Sequence, residues 1–559
     1  MEIPMTVAAR TIGGPGAGKT TRAMQILDMI LEKLISDPLR IGFVSFTRSA
    51  RREASSRAAS KFNVPVGSLE KEGYFRTLHS VCYRLLGIEK GELLGGDKAD
   101  NEWLKNILQD PKVSIGETDH DDDNFMFRSD LSESGKCLAL WDVARNRQMP
   151  IASVWMAAAR ADGRCPDLEL VQAVVKIYET AKRKDGRIDF TDLLMQYAGR
   201  RWTGDHSHPF EEVDPVGTMP CIPVWMHDEA QDMSFLNSLV FKRLIQPSQW
   251  VYLFGDQLQS IYSWAGADGN IFANWPVAKE EELPISYRCR QEILDFSYKI
   301  VRNNRALPKK RIDFQSSKGT GGTLSRFPCV THALQALHAG EDVLVLARTN
   351  RFAQDAADWL NDLSIPWMPT KGAGGCNAPA RVAGIVALER LRQGESIDAE
   401  GYYRLLGLMP SKAKGTTFFA TGTKSFYADK EERKNHCPLT LTNLGAAGAT
   451  EACRNLIASG EYRGILEPPA VRKLAYMAKK HGVEAIQKPK CRVGTCHSSK
   501  GMEADHVVAI NHIPYPTARA IADSEDSLEE ERRVWYVTAT RAREKLTIAE
   551  DEGEPFPEL

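Results

Sequence analysis

The sequence predicts an α/β protein, and three observations lead there. At the N-terminus a short apolar strand runs into a glycine-rich loop and then an amphipathic helix. Two later apolar runs, Cys221–Asp232 and Trp250–Ala267, end in acidic or polar clusters, as buried strands do when their C-terminal ends carry chemistry. The third is size: 559 residues with 43% apolar content allow roughly three or four folding units with sizeable cores, and exclude a disordered chain.

Composition narrows the classes further. Lys+Arg of 72 against Asp+Glu of 73 leaves a net charge of −1, so any surface for a polyanion must be local. Eleven scattered cysteines with no Cys-x-x-Cys pair argue against a zinc ribbon, an iron–sulfur cluster or a disulfide framework. No window approaches 18 consecutive apolar residues, and the first residues lack a signal-peptide profile. The expectation is a reduced, cytoplasmic protein without a membrane partner. The acidic run at 117–123 reads as a solvated loop.

Val7–Ile12 reads as the first strand. Gly13, Gly14, Pro15, Gly16, Ala17, Gly18, Lys19, Thr20 and Thr21 come next as a P-loop opening a helix that continues to Leu34. Glycines let backbone amides wrap phosphates at the positive end of the helix. Lys19 reaches the outer phosphates, and the Thr20 hydroxyl can ligate Mg²⁺. The apolar run before Asp228 and Glu229 supplies the second carboxylate pair: Asp228 to hold the metal through its water shell, Glu229 to polarise the attacking water. A further strand from Trp250 leads to a polar turn with two aromatics, Tyr262 and Trp264.

His227–Asp232 and Trp250–Ala267 together resemble motifs II and III of superfamily 1A DNA helicases, the UvrD/Rep/PcrA group. The other motifs then fall in order. Ile41–Arg52 looks like motif Ia and Tyr74–His79 like motif Ib. Ile188–Leu194 is similar to the segment returning from the inserted subdomain. Leu283–Cys289, followed by Asn303 and Asn304, looks like motif IV. Val493–Glu503 resembles motif V, and Glu529–Leu546 resembles motif VI. The resemblance spans about residues 7–548, and its strength lies in the collinearity of several motifs.

That resemblance implies roles for particular residues. Arg288 and Arg541 match the arginine fingers that reach the γ-phosphate of ATP from the second core domain, so that domain closure gates hydrolysis. Gln259 matches the γ-phosphate-sensing glutamine. Tyr287 should stack on adenine and Glu503 should contact the ribose. Phe46, Tyr262 and Trp264 are candidate stacking platforms for single-stranded DNA, with Thr47, Arg48, Thr77, His79, Thr495 and His497 as backbone contacts. Arg51, Arg52, Arg57 and Lys61 add local positive charge, although such a run is also what a solvated helix face looks like. Core packing is the alternative for Tyr287 and Trp264. Two departures stand out. Only twelve residues precede Gly13, too few for the family's usual upstream adenine-reading glutamine motif. Ala265 also stands where the family commonly has Arg after the motif III tryptophan.

The implied architecture is two RecA-like P-loop domains with parallel sheets, each carrying a largely helical insertion. The first domain comprises 1–85 and 185–280 around an insertion at 86–184. The second comprises 281–375 and 489–559 around an insertion at 376–488 that is shorter than usual, and no nuclease domain is expected after motif VI. The implied activity is ATP- and Mg²⁺-dependent 3′–5′ translocation on single-stranded DNA with strand separation at single-strand/duplex junctions, aided by a protein loading partner. Two alternatives remain open: an ATPase that strips proteins from DNA, and a partner-gated DNA sensor.

Overall fold

The computed structural model describes residues 7–33, 37–45, 48–65, 67–115, 131–161, 165–305, 314–372, 374–434 and 438–559. The chain divides into two compact units. One is Met1–Thr323 with Ile513–Glu544 and Phe556–Leu559; the other is Leu324–His512 with Lys545–Pro555. Residues 281–323 and 513–544, expected from sequence to belong to the second domain, fall in the first unit.

The first unit is built on a six-stranded sheet in the spatial order Tyr74–Arg76, Ile41–Ser45, Val224–Asp228, Trp250–Gly255, Val7–Gly13, Lys279–Leu283. All five pairings are parallel. Every residue of Ile41–Ser45 and Val224–Asp228 is buried, as expected of strands covered on both faces. Register fixes what meets at the C-terminal edge. Ser45 lies opposite Asp228, His227 opposite Leu253, and Ile12 opposite Gly255. The phosphate loop, the acidic strand end and the start of the aromatic turn therefore leave the sheet side by side.

The helix after the loop runs Lys19–Lys33 and buries Ala23, Met24, Ile26, Leu27, Ile30 and Leu31 against the sheet. The insertion is helical, as its patterns predict, with helices Lys98–Leu108, Glu133–Arg147, Ile151–Ala161 and Leu168–Asp185. It has its own core around Leu104, Leu140, Trp141, Val171, Val175 and Tyr178.

The second unit has a six-stranded sheet ordered Thr323–Phe327, Ala542–Glu550, Ala504–Asn511, Val343–Ala347, Cys491–Thr495, Trp367–Pro369. Its central strand Val343–Ala347 pairs in parallel with both neighbours. Between Trp367–Pro369 and Cys491–Thr495 the described residues form seven α-helices, beginning with Pro379–Arg392 and Ala399–Leu406, whose buried residues continue the core under the sheet. The fold class is thus α/β with two six-stranded sheets, each interrupted by helices. Among the described residues no helix is long and apolar enough to cross a membrane.

Candidate nucleotide and nucleic-acid site

Two left-handed glycines shape the phosphate loop, Gly16 at φ 65° and Gly18 at φ 79°. Gly16 is also a point of close approach: a Cβ there would lie 2.3 Å from that of Arg288. Gly14 faces the ring of Phe314, which a Cβ would meet at 2.6 Å. Ala17 N–H bonds Gly14 O at 3.2 Å, closing the loop. Lys19 is only 8% exposed, and its ammonium donates to Gly13 O at 2.8 Å and Gly14 O at 3.4 Å, within the loop that would receive phosphate oxygens. Thr20 is half-buried and Thr21 exposed, both on the first turn of the helix.

The carboxylates sit where the strand ends. Thr20 Oγ1 donates to Asp228 Oδ2 at 3.3 Å, and Glu229 N–H donates to Asp228 Oδ1 at 3.1 Å. Burial first, and then the neighbouring Glu229 charge, push Asp228 up to about 7, against the opposing pull of Lys19. A hydroxyl and a buried carboxylate form an all-oxygen pair suited to a hard divalent cation, and the raised proton affinity marks negative charge that such a cation would relieve. Thr20 and Asp228 therefore fit the metal role read from the sequence. His227 does not share it. Its Nδ1 lies 3.1 Å from Asp228 O, its ring packs edge-on against Phe241 at 5.0 Å, and burial pushes it down to about 4, so it is neutral.

Glu229 adopts φ 55°, a left-handed conformation uncommon for a residue with a side chain. It is held there by Gln231, which donates Nε2 to the Glu229 carboxylate while its Oε1 accepts Asp256 N–H at 3.1 Å. Asp256 in turn accepts Gln259 Nε2 at 2.7 Å. A continuous chain of bonds thus links Glu229 to Gln259. Sequence reasoning assigns Gln259 but misses Gln231 and Asp256, whose parts depend on adjacent strands that spacing does not reveal.

The Leu283–Cys289 segment packs on the phosphate loop. Ser286, also unassigned from sequence, donates its hydroxyl to Pro15 O at 2.7 Å, and Tyr287 N–H bonds Gly16 O at 2.9 Å. These bonds bring Tyr287 beside Gly18, and the residue is 62% exposed. The core-packing alternative for Tyr287 is thereby removed, and an open aromatic face stands beside the loop. Arg288 Nη1 donates to Thr540 O at 3.4 Å, and Arg541, fully buried, donates Nε to Val537 O at 2.9 Å. Both candidate arginine fingers thus converge on one helix terminus.

In the aromatic turn, Tyr262 and Trp264 are both half-buried and meet edge to face at 6.1 Å. Thr77 caps the helix Leu78–Leu86, accepting Ser80 N–H at 3.4 Å, and His79 lies edge-on to Phe190 at 6.2 Å. Phe46 and Thr47 lie outside the described residues, as does the side chain of Arg48. The positive helix face is substantially paired: Arg51 with Glu70, Arg57 with Asp28, and Lys61 with Glu32 at 2.7 Å. Arg52 is exposed. In the second unit Thr495 and His497 are buried, and Thr495 Oγ1 accepts Ser498 N–H at 3.2 Å, closing the turn. Glu503 is half-buried, and its carbonyl accepts Arg492 Nη2 at 3.0 Å.

A parallel sheet with a P-loop, a strand-end Asp-Glu pair and converging arginines defines a nucleotide-hydrolysing protein of the P-loop class. The sequence profile of the UvrD/REP helicase N-terminal domain matches residues 5–276, and that of the UvrD-like helicase C-terminal domain matches residues 470–552. The chain is similar to the ATP-dependent DNA helicase PcrA of Leuconostoc citreum, 23% identical over 629 aligned positions that cover 96% of this chain and 79% of the relative. A probable DNA helicase II homolog of Mycoplasma capricolum is 23% identical over 98% of the chain and 82% of its own length. The PcrA helicase of Staphylococcus aureus is 21% identical, with 96% and 80% covered. The chain belongs to the UvrD/Rep/PcrA family of superfamily 1A DNA helicases.

Proposed function

We propose that this helicase is an ATP- and Mg²⁺-dependent translocase that moves 3′ to 5′ along single-stranded DNA and separates strands at single-strand/duplex junctions. The observation that carries this reading is the register of the first sheet. It ends the strands that lead into the phosphate loop, Asp228 and the Tyr262–Trp264 turn side by side, which supports phosphate chemistry and base stacking at one edge.

Lys19 and the loop amides bind the ATP phosphates; Thr20 and Asp228 would hold Mg²⁺, which would supply neutralisation of phosphate charge. Glu229 orients the attacking water and accepts its proton; its fixed backbone and its bond to Gln231 hold the carboxylate in place. Arg288 and Arg541 leave their helix-end carbonyls to stabilise charge on the transferring phosphoryl group. Gln259 reports the state of the γ-phosphate, Tyr287 stacks on the adenine, and Glu503 contacts the ribose. Phe46, Tyr262 and Trp264 stack on bases, while Thr47, Arg48, Thr77, His79, Thr495 and His497 grip the backbone.

The test measures ATP turnover and strand release together on duplexes with a 3′ tail, a 5′ tail or no tail, beside a Lys19→Ala control. The expected result is tail-dependent turnover with release only from the 3′-tailed duplex. Release only from the 5′-tailed duplex overturns the polarity. DNA-stimulated turnover without release favours protein stripping or partner-gated sensing instead.

A further inference from the structure

The aromatic turn is held from two sides by arginines that none of the site assignments includes. Arg147, the last residue of the helix Glu133–Arg147, donates Nη2 to Ser263 O at 2.6 Å. Arg533, on the helix Glu525–Ala539, donates Nε to Ser260 O at 2.9 Å. Both are charge-assisted bonds, roughly twice as strong as neutral ones, and they grip the carbonyl that leads into the turn and the carbonyl between Tyr262 and Trp264.

The insertion helix meets the turn closely. Ser234 Oγ donates to Asn146 Oδ1 at 3.2 Å. Gly266 has φ +93°, and a Cβ there would stand 2.8 Å from that of Asn146. That helix end is fixed in its turn, because Arg145, the residue before Asn146, donates to both carboxylate oxygens of Asp189, where the chain re-enters the core. On the other side, the helix bearing Arg533 ends immediately before Thr540 and Arg541. Ser260 also directly follows Gln259, the end of the bonded chain through Asp256 and Gln231 to Glu229. Arg147 and Arg533 both line a cavity of about 440 Å³, together with Gln257 and Asp268.

We infer that Arg147 and Arg533 are positioning residues that fix the aromatic turn between the helical insertion and the helix leading to Arg541, so that DNA held by the turn governs ATP hydrolysis. Arg147 brings to this turn, from the insertion, a cation that the turn itself lacks at Ala265. The inference rests on the reading of the turn as a single-strand contact.

The experiment measures steady-state ATP turnover by the full chain, with and without an oligothymidylate, for wild type, Arg147→Ala, Arg147→Lys, Arg533→Gln, Trp264→Ala and the Arg147→Ala/Trp264→Ala double variant. Arg147→Ala is expected to lower DNA stimulation about tenfold, the rate equivalent of one charge-assisted hydrogen bond, while basal turnover and the KM for ATP stay within about twofold. Arg533→Gln shows the same pattern, and Arg147→Lys recovers most of the stimulation. The double variant loses no more than the larger single loss, since both changes act through one turn. Unchanged stimulation in Arg147→Ala overturns the inference, as does a parallel fall of basal and stimulated turnover that lysine does not restore. Where Arg147→Ala yields no folded protein, Arg147→Gln, which retains the side-chain stem and a neutral donor, carries the same test. Absence of stimulation in wild type overturns the reading of the turn itself and is seen before any variant is compared.

Discussion

Glu229 shows how one residue's backbone and chemistry are joined. A left-handed φ at a residue with a side chain is tolerated only where the surroundings enforce it, and here the fully buried Gln231 does so by bonding both the Glu229 carboxylate and the next strand. Glu229→Gln retains nearly the same shape but cannot accept a proton. It is expected to keep ATP and DNA binding while turnover falls by about 10²–10⁴-fold. Fluorescence anisotropy beside a phosphate-release assay checks this, and normal hydrolysis would refute the role. Trp264→Ala is expected to lose single-strand stimulation more than basal turnover; equal loss of both indicates that the ring packs rather than stacks on bases. At this scale the sequence was most legible where chemistry dictates residue type, as at Lys19, Thr20, Asp228 and Glu229. It was least legible where one residue type serves two ends. Thr77 is where the motif places it, yet its hydroxyl caps a helix, and Gln231 acquires its place only through the register of neighbouring strands.

Among elements, the joint between the helical insertion and the core is ionic and buried. Arg145 and Lys182 both bond Asp189, at 2.7 and 2.9 Å, and both reach Asp192. Tyr178 donates to Asp189 and Trp141 to Glu179, adding neutral donors to the network, while the buried Arg145 Nε has no hydrogen-bond partner among the described residues. Glu179, Asp189 and Asp192 lie close enough to share a metal ion, but the cations among them are Lys182 and Arg145. Charged residues on helices ordinarily read as solvated faces, so composition and periodicity gave no sign that these groups meet in the interior; the three-dimensional crossing of helices brings them together. The positive helix at Arg48–Phe62 has the opposite lesson, since local cations that look available for DNA are partly matched by Asp28, Glu32 and Glu70. Removing one member of a buried pair strands its partner, so Arg145→Met should destabilise the first unit by about 3–5 kcal/mol in urea titrations, whereas a surface pair such as Arg57–Asp28 should be worth less than about 1 kcal/mol. The same network sets the response to acid, and its two carboxyls pull opposite ways, since burial and then the Asp189 charge raise Asp192 to about 6. Burial pushes Asp189 up, but Arg145 and Lys182 outweigh it and hold the carboxyl well below its ordinary range. A depressed folded-state pKa gives stability that is present above the unfolded value, near 4, and is lost as pH falls below it. Asp189→Asn should therefore lower stability at pH 7 and flatten the decline below pH 4, and an unaltered acid limb would refute the assignment.

For the whole molecule, the alternating apolar runs and strand-end motifs made two parallel sheets legible, because strands buried on both faces leave continuous apolar segments such as Val224–Met226 and Val343–Ala347. Spatial strand order was not legible, nor was the grouping of 281–323 and 513–544 with the first unit, since both arise from packing between segments more than two hundred residues apart. That grouping has a measurable consequence. Lys19, Thr20, Asp228, Glu229, Arg288 and Arg541 all belong to the first unit, so a nucleotide held by them should stabilise that unit directly. A ligand at about one hundred times its Kd adds about 2.7 kcal/mol to the state that binds it. Calorimetry with a non-hydrolysable ATP analogue and Mg²⁺ is therefore expected to raise the transition of the first unit. Chelating the metal should shrink the shift, because the phosphates then meet the Asp228–Glu229 pair without a cation to offset their charge, and Lys19→Ala should abolish it. A shift that survives both treatments would place the nucleotide away from the phosphate loop and remove the basis for assigning Thr20 and Asp228 to the metal.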